Sequence, residues 1–337
     1  MSFMDSRFQN MDFGLFRAIH TAIADSFHDT SLSEPNMVAK FMCEVVRRVN
    51  SIQPLNVRAG GVFVHASPLV SCGDFPRETP ASVELGDLLL IRSELINGER
   101  TKQAALLLQA KKTDRLPCAP DNENQYHLYS NWPTFTYTRV GRHGQNQGQN
   151  PLVGKRRTIR CNNISHGTKY LLINNSDTRV GNFSCCTNYY CYFLPYACDI
   201  AATAIASTDD LSHYECFTHE LARFILGFGG KPFTLPPAPR SRNWDRVMED
   251  LLTNVANLTS NFTGRADQEA NRARGRGVTI FTDNLDARSC LISRGVLCES
   301  SNDGPPRNDE HFRDDGDPNG IAVLEFVVSN NEERQLE

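Results

Sequence analysis

A chain of 337 residues, 40% hydrophobic and 22% charged, is long enough for one large domain or two average ones around a sizeable core. Its formal net charge of -4 excludes nucleic-acid binding through overall charge and confines any such contact to a local basic patch. No apolar run approaches the roughly 20 residues that span a bilayer, and MSFMDSRFQN lacks the basic and apolar parts of a secretory signal, so a cytoplasmic protein without membrane contact is expected.

Phe13, Phe16, Ile19, Ile23 and Phe27 recur at helical spacing and predict a peripheral helix in an N-terminal extension, residues 1–33. In SEPNMVAKFMCEVVRRVNSI, Ser33 can cap, Pro35 suits the first turn, and Met37, Val38, Phe41, Met42, Val45 and Val49 form a core stripe. Glu44 falls at the edge of that stripe, partly shielded yet able to reach a cleft. LGDLLLIRSE and QAALLLQAKK are short apolar runs separated by the turn-like INGERTK; they read as a hairpin of strands buried on both faces in mid-sheet.

Further along, QYHLYSNW reads as a helix, the Gly-, Gln- and Asn-rich stretch Gly141 to Gly154 as a loop or flap, and Tyr170 to Asn174 as a strand, with YYCYFLPYA a further strand candidate. Leu211 to Phe228 reads as a helix ended by Gly229-Gly230, and LPPAPRSR as a linker. Trp244 to Leu258 is an expected helix, GVTIFTDN and GIAVLEFVVS expected strands, and Ser300 to Gly320 an acidic loop. The resulting division is a core over 34–235 and an accessory or regulatory α/β segment over 236–337. Two basic clusters, Lys155-Arg156-Arg157 with Arg160 and the later Arg265, Arg272, Arg274 and Arg276, are candidate phosphate contacts.

The eleven cysteines are odd in number. Their densest group (Cys185, Cys186, Cys191, Cys198) lies in an aromatic stretch with no second CxxC-like pair, so they read as buried thiols rather than disulfides or zinc ligands. The histidines lack paired spacing on one face, and GxSxG, Walker A and GxGxxG elements are absent.

The chemistry concentrates in the hairpin. Asp87 interrupts the first apolar run, Gln109 and Lys111 the second; residues two apart in a strand share a face, so Gln109 and Lys111 are neighbours and a paired strand can bring Asp87 beside them. An acid, an amide oxygen and an ammonium at buried strand ends are costly unless an ion organises them. Mg²⁺ or Mn²⁺ held by the Asp87 carboxylate and the Gln109 carbonyl would do so, with Lys111 beside the attacking water.

These residues resemble the PD-(D/E)xK, or restriction-endonuclease-like, nucleases, whose signature is an acid on one strand followed by (D/E/Q)xK on the next: here Asp87 in Glu84-Leu-Gly-Asp87, then Gln109-Ala-Lys111. The resemblance implies an α/β fold with a central mixed sheet flanked by helices, a further metal-binding acid from the preceding helix matched to Glu44, and a Gln-x-x-x-Tyr element matched to Gln125 and Tyr129 as substrate-binding residues with Lys155, Arg156 and Arg157. It also implies Mg²⁺-dependent phosphodiester hydrolysis, double-stranded DNA as substrate, and a place in prokaryotic antiviral defence. A catalytically silent nucleic-acid or protein-binding module and an RNA-cleaving toxin are the alternatives; a regulatory protein partner and a homo-oligomer stay open.

Overall fold

The computed structural model describes residues 13–52, 56–66, 68–140, 150–159, 164–176, 200–207, 210–238, 243–259, 279–282, 289–293 and 319–330. YYCYFLPYA and its cysteines, the later arginine cluster, Arg160, most of the Gly141 to Gly154 stretch and nearly all of Ser300 to Gly320 lie outside them.

In chain order the elements are α1 (Phe13–Phe27), α2 (Glu34–Asn50), β1 (Val57–Phe63), β2 (His65–Ala66), β3 (Leu69–Ser71), β4 (Val83–Glu84), β5 (Leu88–Ile96) and β6 (Glu99–Thr113). There follow α3 (Glu123–Asn131), β7 (Phe135–Arg139), β8 (Arg156–Arg157), β9 (Thr168–Asn174), β10 (Ala201–Ala206), β11 (Leu211–Cys216) and α4 (Phe217–Ile225). The last are β12 (Lys231–Pro232), α5 (Asn243–Thr259), β13 (Thr279–Thr282), α6 (Cys290–Ser293), β14 (Asn319–Gly320) and β15 (Ala322–Asn330). Among the described residues no helix is long and apolar enough to cross a membrane.

The protein is α/β, built on one mixed sheet in the order β11-β10-β9-β6-β5-β15-β1-β13, with β12 added beside β6. Its centre is the expected hairpin. Asn97-Gly98 turns the chain with φ of 50° and 79°, the left-handed pair that suits the twist of a tight hairpin. Leu88 then pairs with Leu108 and Leu90 with Leu106. β9 joins β6 in parallel, β15 joins β5 in parallel, and β1 pairs antiparallel with β15. The central strands are buried on both faces, which is why their sequences run apolar rather than alternating.

One face carries α1, α2 and α4. Phe27 lies 5.5 Å from Phe41 and 6.5 Å from Phe217, ring centroid to centroid, so α1 is an integral part of this layer and not peripheral; of its stripe only Phe13 is exposed. The other face packs Leu128 and Tyr129 of α3, the small sheet β4-β3-β7-β8, and Trp244, Val247, Leu251 and Val255 of α5.

Two sequence expectations are corrected. Leu211 to Cys216 is a strand, paired antiparallel with β10, and the helix begins only at Phe217. The 236–337 segment is not accessory to the sheet. Its β15 occupies the centre, matched with β5 from Ala322↔Leu88 to Asn330↔Ile96, and α5 fills one face of the core.

Candidate active site

The turn from β4 into β5 places Asp87 one position before the β5 register. Its N–H donates to the Leu108 carbonyl at 2.9 Å and its carbonyl accepts from the Ala322 N–H at 3.3 Å, so the backbone is held from both neighbouring strands. This sets Asp87 opposite Gln109. The Asp87 carboxylate accepts hydrogen bonds from the Gln109 side-chain amide and from the Ala110 N–H, the latter at 2.7 Å.

Burial pushes the Asp87 carboxyl well above the usual carboxylate range. Glu84 and Glu34 push the same way, while the Lys111 ammonium and the Ala110 N–H oppose them. Three acids therefore crowd one lysine.

Lys111 and Glu34 belong together: Lys111 Nζ stands 3.8 Å from Glu34 Oε2, and Glu34 Oε1 accepts from the Lys112 N–H at 2.7 Å. Lys112 Nζ in turn donates to the carbonyls of Thr30 and Leu32, pinning the α1–α2 connection to the end of β6. The acid that α2 brings to the site is thus Glu34, in its first turn. Glu44 lies ten residues further on, about 15 Å along the axis. Its carboxylate accepts from Arg47 Nη2 at 2.5 Å and Arg48 Nε at 3.1 Å, so the match of Glu44 to the site is corrected.

Gln125 and Tyr129 are also placed differently from expectation. Both are buried, and both hold backbone: Gln125 Nε2 donates to the Glu84 carbonyl at 3.3 Å, and the Tyr129 hydroxyl to the Leu85 carbonyl at 2.9 Å. Burial raises the Tyr129 phenol well above its ordinary range, so it stays a neutral donor. Asn124, which sequence reasoning passed over, accepts from the Arg77 N–H and donates to the carbonyls of Arg77 and Pro80. Consecutive turns of α3 thereby fix the segment that delivers Asp87, and these residues act as positioning groups rather than substrate contacts.

Of the basic cluster, Lys155 and Arg156 are exposed. Arg157 is committed to Asp250 of α5 through two hydrogen bonds, at 2.6 and 2.9 Å, and is corrected from phosphate contact to a tie between β8 and α5.

Among the described residues no three His, Cys, Asp or Glu side chains form a ready-made metal cage. The expected pair of oxygens is not formed either, since Gln109 presents its nitrogen to Asp87. Its Oε1 is buried without a hydrogen-bond partner. The two ends of an amide have nearly the same shape, so a half-turn exchanges them. That orphaned oxygen, the all-oxygen donor set of Asp87, Gln109 and Glu34, and the surplus of acid over base together suit a hard divalent cation.

The architecture defines the chain as an α/β protein with a central mixed sheet and an acid, amide and lysine cluster at one end of its middle strands. No protein-family model, curated protein or solved structure matches it.

Proposed function

We propose that the protein is a metal-dependent nuclease that hydrolyses phosphodiester bonds, with DNA as its substrate, acting in prokaryotic antiviral defence. The observation that carries this reading is the Asp87 carboxylate held directly on Gln109 and Ala110, at the level of β6 where Lys111 follows two residues on. Order, spacing and strand context are those of the resemblance that these residues carry.

Asp87, Gln109 and Glu34 would hold Mg²⁺ or Mn²⁺, which when bound supplies Lewis-acid polarisation of the phosphate and a more acidic water. Lys111 orients the attacking water and stabilises the negative charge growing on the phosphate oxygens. The water oxygen bonds to phosphorus, the bond to the leaving sugar oxygen breaks, and the water's proton passes to solvent or to that oxygen. Glu34 keeps Lys111 charged and aimed.

The test is cleavage of supercoiled plasmid and of mixed RNA by the purified chain with Mg²⁺ or Mn²⁺, beside Asp87→Ala and Lys111→Ala. Cutting of plasmid by the wild type alone supports the reading, cutting of RNA alone assigns an RNA-cleaving toxin, and cutting that survives both substitutions overturns the site.

One observation favours a second reading, a silent binding module on the same fold: the Gln109 amide already satisfies Asp87 without any ion. It predicts that Mg²⁺ leaves the melting temperature unchanged. The nuclease reading predicts an upward shift that Asp87→Asn abolishes.

A further inference from the structure

A cavity of about 1000 Å³ opens along the N-terminal half of β6, beside the start of β9 and under the turn from Gly227 to Thr234. Asp87, Gln109, Lys111, Glu34 and Glu84 do not line it. Its size lies at the upper end of what small-molecule sites occupy.

The wall is built from buried charge. Lys169 and Glu220 are both buried and stand 2.5 Å apart, Nζ to Oε2. Glu215 bridges this pair to the helix α4: Lys169 lies 3.9 Å from its Oε2, while His219 Nδ1 and Arg223 Nη1 lie 2.8 and 3.1 Å from its Oε1. Arg92, also buried, donates to the Ile225 carbonyl at 2.8 Å. It packs on Gly227, where a Cβ would come within 3.1 Å of its guanidinium carbon. The lining thus carries four permanent cations, Arg92, Lys102, Lys169 and Arg223, against the two acids Glu215 and Glu220. In a chain of net charge -4 this is a local positive surplus.

Two further features mark the cavity as a built one. His213 stands exposed at its wall with φ of 52°, a left-handed conformation that a histidine adopts only where the surroundings impose it, and such strain gathers at ligand sites. Phe228 and Phe233 supply a flat apolar surface next to the cations.

We propose that this cavity binds a mononucleotide-sized organic phosphate, its phosphate drawn to Lys102, Arg223 and His213 and its ring laid on Phe228 and Phe233. Guanidinium and ammonium groups match phosphate oxygens, and an aromatic face accepts any flat base. The proposal stands apart from the nuclease reading, because no residue is shared between the two sites.

The experiment is titration calorimetry of the full chain with the four ribonucleoside 5′-monophosphates, their nucleosides and inorganic phosphate, without divalent cation. At least one monophosphate is expected to bind below about 1 mM, and about tenfold or more tighter than either its nucleoside or inorganic phosphate. Lys102→Ala and Arg223→Gln are each expected to weaken that binding by about tenfold, while His213→Gly, which suits the positive φ, reports on the imidazole without threatening the fold. Asp87→Ala should leave the affinity unchanged. Failure of all four monophosphates to bind overturns the proposal. So does binding that Lys102→Ala and Arg223→Gln leave intact, or binding that Asp87→Ala removes; inorganic phosphate binding as tightly as the nucleotides overturns the role of the aromatic wall.

Discussion

Gly86 is the residue on which the placement of Asp87 most narrowly depends. A Cβ there would lie 2.7 Å from Leu107 Cδ1 and 3.0 Å from the Tyr129 hydroxyl, so even alanine must displace either the strand end or the tyrosine that holds it. Gly86→Ala is expected to lower cleavage about a hundredfold, through a shift of the carboxylate on the order of 1 Å, while costing only about 1–3 kcal/mol of stability. Parallel measurement of rate and urea midpoint separates the two effects. A second prediction distinguishes the acids of α2. Glu34→Gln should lower cleavage strongly because it removes the carboxylate beside Lys111, whereas Glu44→Gln should leave activity within about twofold, since it disturbs only ion pairs with Arg47 and Arg48. The central residues were legible because a strand's period of two leaves no choice about who faces whom: Gln109, Lys111 and the opposed Asp87 follow from it. Glu34 was not, because an acid in the first turn of a helix is ordinary dipole complementation and looks the same whether or not it also reaches a neighbouring strand. Gln125 and Tyr129 were found by their motif, but the motif does not say whether a side chain addresses a ligand or the backbone that carries the acid.

At the scale of elements, the segment Leu211 to Phe228 shows where local pattern fails. Its apolar spacing admits a helix throughout, yet Leu211 to Cys216 gains a strand partner in β10, and six residues of ladder outweigh a weak propensity. The change of element at Cys216–Phe217 then sets Glu215 on the strand and Glu220 on the helix against the same lysine. Glu220 is pushed up to about 7, by burial first and by Glu215 next. The folded protein therefore keeps a proton that the unfolded chain, with an ordinary glutamate near 4.5, gives up, so stability falls as pH rises from about 4.5 through 7 and levels off above. Glu215 is held well below the usual range, by its hydrogen bonds to His219 and Glu220 and by the nearby cations, and works in the opposite sense. Its contribution is fully present above the unfolded value and is lost only as pH falls beneath it, so the two windows do not overlap. Glu220→Gln should flatten the decline in melting temperature between pH 5 and 8, a slope worth on the order of 2 kcal/mol in the wild type. An equally steep slope in the variant would assign the titration to another group.

For the whole molecule, the position of β15 decides what can be removed. The run GIAVLEFVVS was recognisable as a strand, and the density of apolar residues on both of its faces is the mark of a strand with neighbours on each side. Periodicity does not name those neighbours, and a proline-rich stretch before α5 suggested a boundary that the tertiary structure does not respect. β15 supplies the hydrogen bonds between β5 and β1, so without it the hairpin that carries Gln109 and Lys111 becomes a sheet edge and β1 loses its attachment to the rest. It also carries Glu325, a fully buried carboxylate that accepts from Ser93 Oγ at 2.6 Å and from the N–H groups of Cys290 and Leu291 at 2.7 and 2.9 Å, which fastens α6 to the sheet. A chain ending at residue 318 is therefore expected to lose cooperative unfolding and to aggregate through the exposed strand of β5, rather than behave as a core freed of a regulatory part. Circular dichroism melting and size-exclusion chromatography of that truncation decide it. A monomeric protein that melts cooperatively and still binds or cuts nucleic acid would show that the sheet closes without its central strand.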